Sequence, residues 1–322
     1  MGDFARFLVD CLSSGTMLLS ACALLIVPVL AWGVIRLLIP TLRRMEADSA
    51  WQASLAAAAA VIPGALVLAL GGAALVSGLH SPCLQTQAGR VLFAVIWTAM
   101  IFSLVRAALL ATRRRREARA LIRLSHKASA RLLLAGERAG VRVRELPDSQ
   151  PFCALAGVRN SVVVVSSGTI LQLTDAELEA ALVHERGHAR HGDQIVAAVL
   201  AFVVDLLPLP AADLVALYRD AREVAADQHA LRTVSPHDLA GALLAVARGR
   251  RVVANVAQLQ GKTGLRRRLH LLLHGPSAAP VSIRSRFVVT FALAAVLVAG
   301  LAPAPASVVM APPCEHQQAT RS

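Results

Sequence analysis

Along this chain the apolar residues fall into long, nearly unbroken blocks rather than short alternating runs. Residues 17–39, 53–79 and 91–111 are each long enough to cross a hydrocarbon layer of about 30 Å as an α-helix. A fourth block, 287–302, is shorter before Pro303, but apolar residues continue to Met310. The pattern predicts four membrane spans. Between the third and fourth blocks it changes character. From 114 to 138, Ala118, Leu121, Ile122, Leu132 and Leu133 recur at helical spacing among arginines, which predicts one amphipathic helix leaving the membrane and ending at Gly140. The short runs "PFCALAG" (151–157) and "SVVVVS" (161–166), joined by "VRN", predict a β-hairpin. Thr174 followed three residues later by Glu177 is a capping-box signature, so a helix should begin there, and Gly192 is placed to end it. Residues 194–209, "QIVAAVLAFVVDLLPL", fall short of a comfortable span and include Asp205. They predict a buried or membrane-touching helix rather than a fifth span.

Composition agrees with the blocks. The 322 residues are 56% hydrophobic with a mean hydropathy of +0.59, too apolar for an ordinary soluble domain. A cleaved signal peptide explains the first block poorly, because Asp3 and Asp10 precede it where a basic stretch belongs. "LSAC" (19–22) has the look of a lipoprotein cleavage site, yet more than a dozen apolar residues follow it, and a small-residue patch within a membrane helix is the better reading. Charge near the span ends sets orientation. Arg36, Arg43 and Arg44 flank the first span, Arg106 and "RRRREAR" (113–119) follow the third, and Arg284 and Arg286 precede the fourth; the 80–90 loop carries only Arg90. Both termini are therefore expected outside, and residues 112–286 in the cytoplasm. The segmentation is then 1–111 with three spans, 112–286 as an inserted domain, and 287–322 as the fourth span and a short tail. The net charge of +13 sits largely where anionic lipid headgroups want it, so membrane lipid is an expected partner and direct nucleic-acid binding through "RRRREAR" or "LRRRLH" (265–270) is not.

Candidate chemistry lies in "TDAELEAALVHERGHARHGD" (174–193). On a helix, His184 and His188 project from one face and can give their imidazole nitrogens to one ion. Glu185 lies about 100° around the helix and can reach a bound water without ligating the ion. Catalytic zinc usually takes three protein ligands. In "YRDAREVAADQHAL" (218–231), Glu223 can complete a His, His, Glu set, and Asp227, one turn on, can accept the free N–H of a ligating histidine. The competing reading has both carboxylates on the surface, paired with Arg219 and Arg222. His191 reads as solvated or just behind the ligands, and His229 as a group that can polarise a carbonyl. Asp193 either caps the next helix or pairs with a histidine.

"HERGHARHGD", the apolar helix after it and "RDAREVAAD" resemble the BlaR/MecR-type membrane metallopeptidases, gluzincins with HExxH and a downstream glutamate in a cytoplasmic domain between a third and a fourth span. "NSVVVVSSGTILQLTDAELEAALVHE" is similar to the same region of those proteins and also of HtpX-type membrane proteases. The resemblance covers residues 145–235 and the four-span outline. It implies a multi-pass α-helical protein of a bacterial cell membrane with an inserted cytoplasmic α+β zincin-like domain. It also implies Zn²⁺ held by His184, His188 and Glu223, with Glu185 as catalytic base. The expected partner is a protein or peptide substrate, either a small cytoplasmic repressor or the chain itself, and a homo-oligomer is compatible with the pattern. The penicillin-binding sensor domain of the best-known members would follow the fourth span, where about twenty residues stand here. Two rival readings are an HtpX-like quality-control protease and a non-enzymatic membrane scaffold with a structural or vestigial zinc site. Of the five cysteines, Cys83 in "HSPCLQ" and Cys314 in "APPCEHQ" both fall outside in this topology and can form a disulfide, with Cys11 as a competing partner.

Overall fold

The computed structural model describes residues 16–43, 49–79, 87–157, 160–206, 212–249 and 262–274. The fourth apolar block and Cys11, Cys83 and Cys314 lie outside the described residues, and so do the expected fourth span and the Cys83–Cys314 bond. The chain divides into two compact units, one of residues 1–37, 62–105 and 291–322, the other of residues 38–61 and 106–290.

Among the described residues three long helices come first: α1 (Thr16–Arg43), α2 (Ser49–Leu79) and α3 (Gln87–Leu124). Each contains a stretch long and apolar enough to cross a membrane, Ile26–Arg43, Trp51–Gly72 and Phe93–Leu124. On α3, within its membrane-crossing stretch, the side chains of Val95, Ile101, Phe102, Val105 and Leu109 are exposed. The apolar pattern and the helix lengths agree.

The single helix expected over 114–138 is in fact two. α3 continues to Leu124, the chain runs extended through Ser129, and α4 (Ala130–Ala139) follows. The break has a tertiary cause. His126 and Glu145 exchange backbone hydrogen bonds, His126 N–H donating to Glu145 O at 2.8 Å and Glu145 N–H to His126 O at 3.2 Å. Arg144 also donates to Ser125 O (2.6 Å) and Ser125 Oγ (2.8 Å). These bonds compete with helix continuation. Gly140 ends α4 as expected, in the left-handed region at φ 67°.

Three strands form one sheet in the order β1 (Val143–Leu146), β3 (Val162–Ser166), β2 (Cys153–Ala156). β2 and β3 are antiparallel, the expected hairpin, with Gly157 at φ 88° where the turn begins. β1 pairs parallel to β3. Helix α5 (Ser167–Gln172) then leads into α6 (Asp175–Arg190). Thr174 and Glu177 form both bonds of the capping box, and Gly192 (φ 68°) follows the end of α6. The remaining helices among the described residues are α7 (Asp193–Leu206), α8 (Ala212–Ala230), α9 (Pro236–Gly249) and α10 (Lys262–His274).

α7 is one-sided: Leu200, Val203 and Leu206 are buried, whereas Ile195 and Val199 are exposed. Its Asp205 forms an ion pair with Arg114 of α3. The core of this unit joins Leu132 of α4, Val163 and Val165 of β3, Leu178 and Leu182 of α6 and Leu239 of α9, all fully buried. α6 is thus packed on one side by sheet and core, which fixes the helix that carries the HExxH residues.

Candidate metal centre

His184 and His188 occupy one face of α6, and Glu223 comes to them from α8. His184 Nε2 is 3.2 Å from His188 Nε2 and 3.6 Å from Glu223 Oε2, while His188 Nε2 is 3.8 Å from Glu223 Oε1. A tetrahedral zinc with bonds of about 2.0–2.2 Å separates its ligand atoms by roughly 3.3–3.6 Å. One ligand atom from each side chain lies within 4.8 Å of the others, so the three can converge on one such ion. His184 is buried, and the other two are partly so.

Both imidazoles are turned the right way for a ligand. His184 Nδ1 is 2.9 Å from Asp227 Oδ1, off the line of an ideal hydrogen bond, and His188 Nδ1–H donates to Asp193 Oδ2 at 2.7 Å. An ionised carboxylate only accepts, so a proton belongs on each Nδ1, and each Nε2 is the nitrogen that faces the centre. Asp193 thus pairs with a histidine, the second of its two expected roles; it also forms an ion pair with Arg222 of α8. Asp227 meets His184 as expected.

One participant was missed in the sequence. Arg268 of α10, from the run "LRRRLH", is 9% exposed. Its Nε and Nη2 donate to Asp227 Oδ2 and Oδ1, both at 2.7 Å, and its Nη1 donates to Glu223 Oε2 at 2.5 Å. Glu223 and Asp227 are therefore not surface partners of Arg219 and Arg222. Only the buried position of a single arginine in a basic run distinguishes it, and no local spacing announces that.

Electrostatics follow from this crowding. Burial alone would raise the Glu223 carboxyl, but the Arg268 charge and the His184 contact hold it well below the usual range. Asp227 is lowered in the same way, against its burial, by Arg268 and His184. Burial disfavours the His184 imidazolium, yet Asp227 and Glu223 outweigh it and raise the group to about 9. A cation is thus welcome at His184, and an ion binding there displaces a proton.

Glu185 is partly buried on α6, and its Oε2 accepts the Leu155 backbone N–H at 2.9 Å. Gln194 Nε2 donates to the Leu155 carbonyl, also at 2.9 Å. β2 is the edge strand nearest this face, so the base candidate and a strand edge are in contact. His191 and His229 stand apart from the cluster and face each other edge-on, with ring centroids 6.2 Å apart. His191 Nδ1–H donates to Gly187 O at 2.7 Å. Burial and then Arg190, Arg186 and Arg232 hold His229 below the ordinary histidine value.

A helical protein with membrane-crossing stretches and a His, His, Glu group that can hold a metal ion defines a class, the membrane metallopeptidases. The chain belongs to the BlaR1 peptidase family M56, which it matches over residues 25–272. It is also similar to protease HtpX of Haemophilus influenzae (strain ATCC 51907 / DSM 11121 / KW20 / Rd), 38% identical over 65 residues. That stretch covers 20% of this chain and 23% of the relative. Protease HtpX of Shewanella piezotolerans is 36% identical over 85 residues, 25% of this chain and 30% of that protein. The matched stretch spans less than a third of these curated relatives. No solved structure matches.

Proposed function

We propose that the protein is a membrane zinc endopeptidase. The observation that carries this reading is the convergence of His184, His188 and Glu223, each histidine backed by a carboxylate, beside a glutamate that can serve as base. Two nitrogens and one carboxylate oxygen suit zinc, which when bound would lower the pKa of water and polarise a scissile carbonyl. Glu185 takes the proton of the attacking water as general base and returns it to the leaving amine. A substrate peptide docks in extended form along the outer edge of β2, where Leu155 offers its N–H and C=O. In this structure those two groups are engaged by Glu185 and Gln194, so a docking peptide exchanges with them.

The site domain, residues 112–286, is placed in the cytoplasm between a third and a fourth span, with both termini outside. The arginine distribution supports this orientation. Thiol labelling that reached Cys314 only from the cytoplasmic side would refute it, and a Cys83–Cys314 linked peptide would support it. The substrate is a small cytoplasmic regulator or the chain itself. The similarity to HtpX proteases favours a second reading, degradation of misfolded membrane proteins. Product mapping by mass spectrometry, in cells carrying the wild type or Glu185→Ala, separates them. A few discrete Glu185-dependent cleavages support the regulatory reading and broad degradation supports the second. Products unchanged by Glu185→Ala would remove the endopeptidase assignment, as expected of a structural zinc site in a scaffold.

A further inference from the structure

Arg268 reaches the metal-ligand region from α10, a helix that contributes no ligand of its own. A buried guanidinium is costly unless its hydrogen bonds are met by charge, and here two carboxylates four residues apart on α8 meet it. The fork matters. Nε and Nη2 grip both oxygens of Asp227, which fixes the plane of that carboxylate, and the fixed Oδ1 is the atom facing His184 Nδ1. Nη1 donates to Glu223 Oε2, the oxygen 3.6 Å from His184 Nε2. Three carboxylates, Glu185, Glu223 and Asp227, act on this one guanidinium.

We propose that Arg268 is a positioning residue of the metal centre, holding Asp227 against His184. This rests on the metallopeptidase reading. A lysine keeps the charge but loses the planar fork, so Arg268→Lys separates orientation from electrostatics.

The test is zinc affinity by chelator competition on the detergent-solubilised full chain, with thermal unfolding of the metal-free protein alongside. Wild type, Arg268→Lys, Asp227→Asn and the double variant form a cycle. Arg268→Lys should unfold within a few degrees of wild type yet bind zinc about 10–100-fold more weakly, the usual loss for a partner that orients a ligand. The double variant should lose little beyond the worse single one, because Arg268 acts through Asp227. Unchanged zinc affinity in Arg268→Lys, additive losses, or failure of both single variants to fold would overturn the proposal and make Arg268 only a tie between helices. If the wild type bound no zinc through His184, His188 and Glu223, the metallopeptidase reading itself would fail, a result distinct from all of these.

Discussion

Each histidine of the α6 pair offers one nitrogen to the centre and hands the other to a carboxylate from elsewhere in the chain. Asp193 does this for His188 and also neutralises Arg222, which is 8% exposed. Asp193→Ala therefore leaves a buried guanidinium without its partner, a change that typically costs about 3–5 kcal/mol. It should lower the unfolding midpoint clearly and weaken zinc binding by about 10–100-fold, measured by chemical denaturation and chelator competition. A stability close to wild type would mean that Arg222 finds another partner. Helical spacing puts His184 and His188 on one face and Glu223 one turn from Asp227, so both pairs were legible, whereas their meeting depends on α6 packing against α8. Arg268 was not legible, because its meaning depends on α10 packing against α8, a contact 41 residues away from Asp227 in sequence.

At the level of elements, the site depends on how closely α6 approaches α8. Gly187, between the two histidines, makes that approach possible: a Cβ there would stand 3.1 Å from Ala226 Cα and 3.3 Å from Ala226 Cβ and O. Gly187→Ala gains about 1 kcal/mol of helix propensity but overpacks a helix contact at about 1–3 kcal/mol. The second effect should win. Zinc affinity should fall more than stability does, since the displaced helix carries Glu223, and an unchanged affinity would show that the helices adjust freely. β1 is held at its own crossing by Glu145, which accepts from Ser129 N–H at 3.1 Å and Ser167 Oγ–H at 2.9 Å. Burial would raise this carboxyl, but those hydrogen bonds outweigh it and the group lies below its ordinary value of about 4.5. Its contribution to stability is therefore present above about pH 4.5 and is lost as the pH falls through the lowered folded value. Glu145→Gln should flatten that acid limb in a denaturation series across pH, and an identical limb in the variant would place the acid sensitivity elsewhere. The capping box and the hairpin were readable from local chemistry. β1 was missed because "VREL" is four half-buried residues without a strong apolar face, and the break at Ser125–Ser129 was missed because its cause is Glu145, sixteen residues further on.

For the whole molecule, three apolar helices and a metal-capable centre occur in one chain, and within the second unit the start of α2 and the end of α3 are tied to the helices around that centre. Ser49 at the start of α2 donates to Gln228 Oε1 of α8 at 2.8 Å, one residue beyond Asp227, and Arg114 of α3 pairs with Asp205 of α7. The hydropathy pattern made the spans visible, since span length is set by bilayer thickness and needs no tertiary context. The ties were invisible for the opposite reason. The central claim is that His184, His188 and Glu223 hold one zinc ion that Glu185 uses without helping to bind it. Metal analysis of the purified full chain tests it most directly. Wild type and Glu185→Ala should each carry about one zinc per chain, the single ion of a catalytic site, while His188→Ala and Glu223→Ala should carry almost none. Equal zinc in all four proteins, or equal loss from Glu185→Ala, would contradict it.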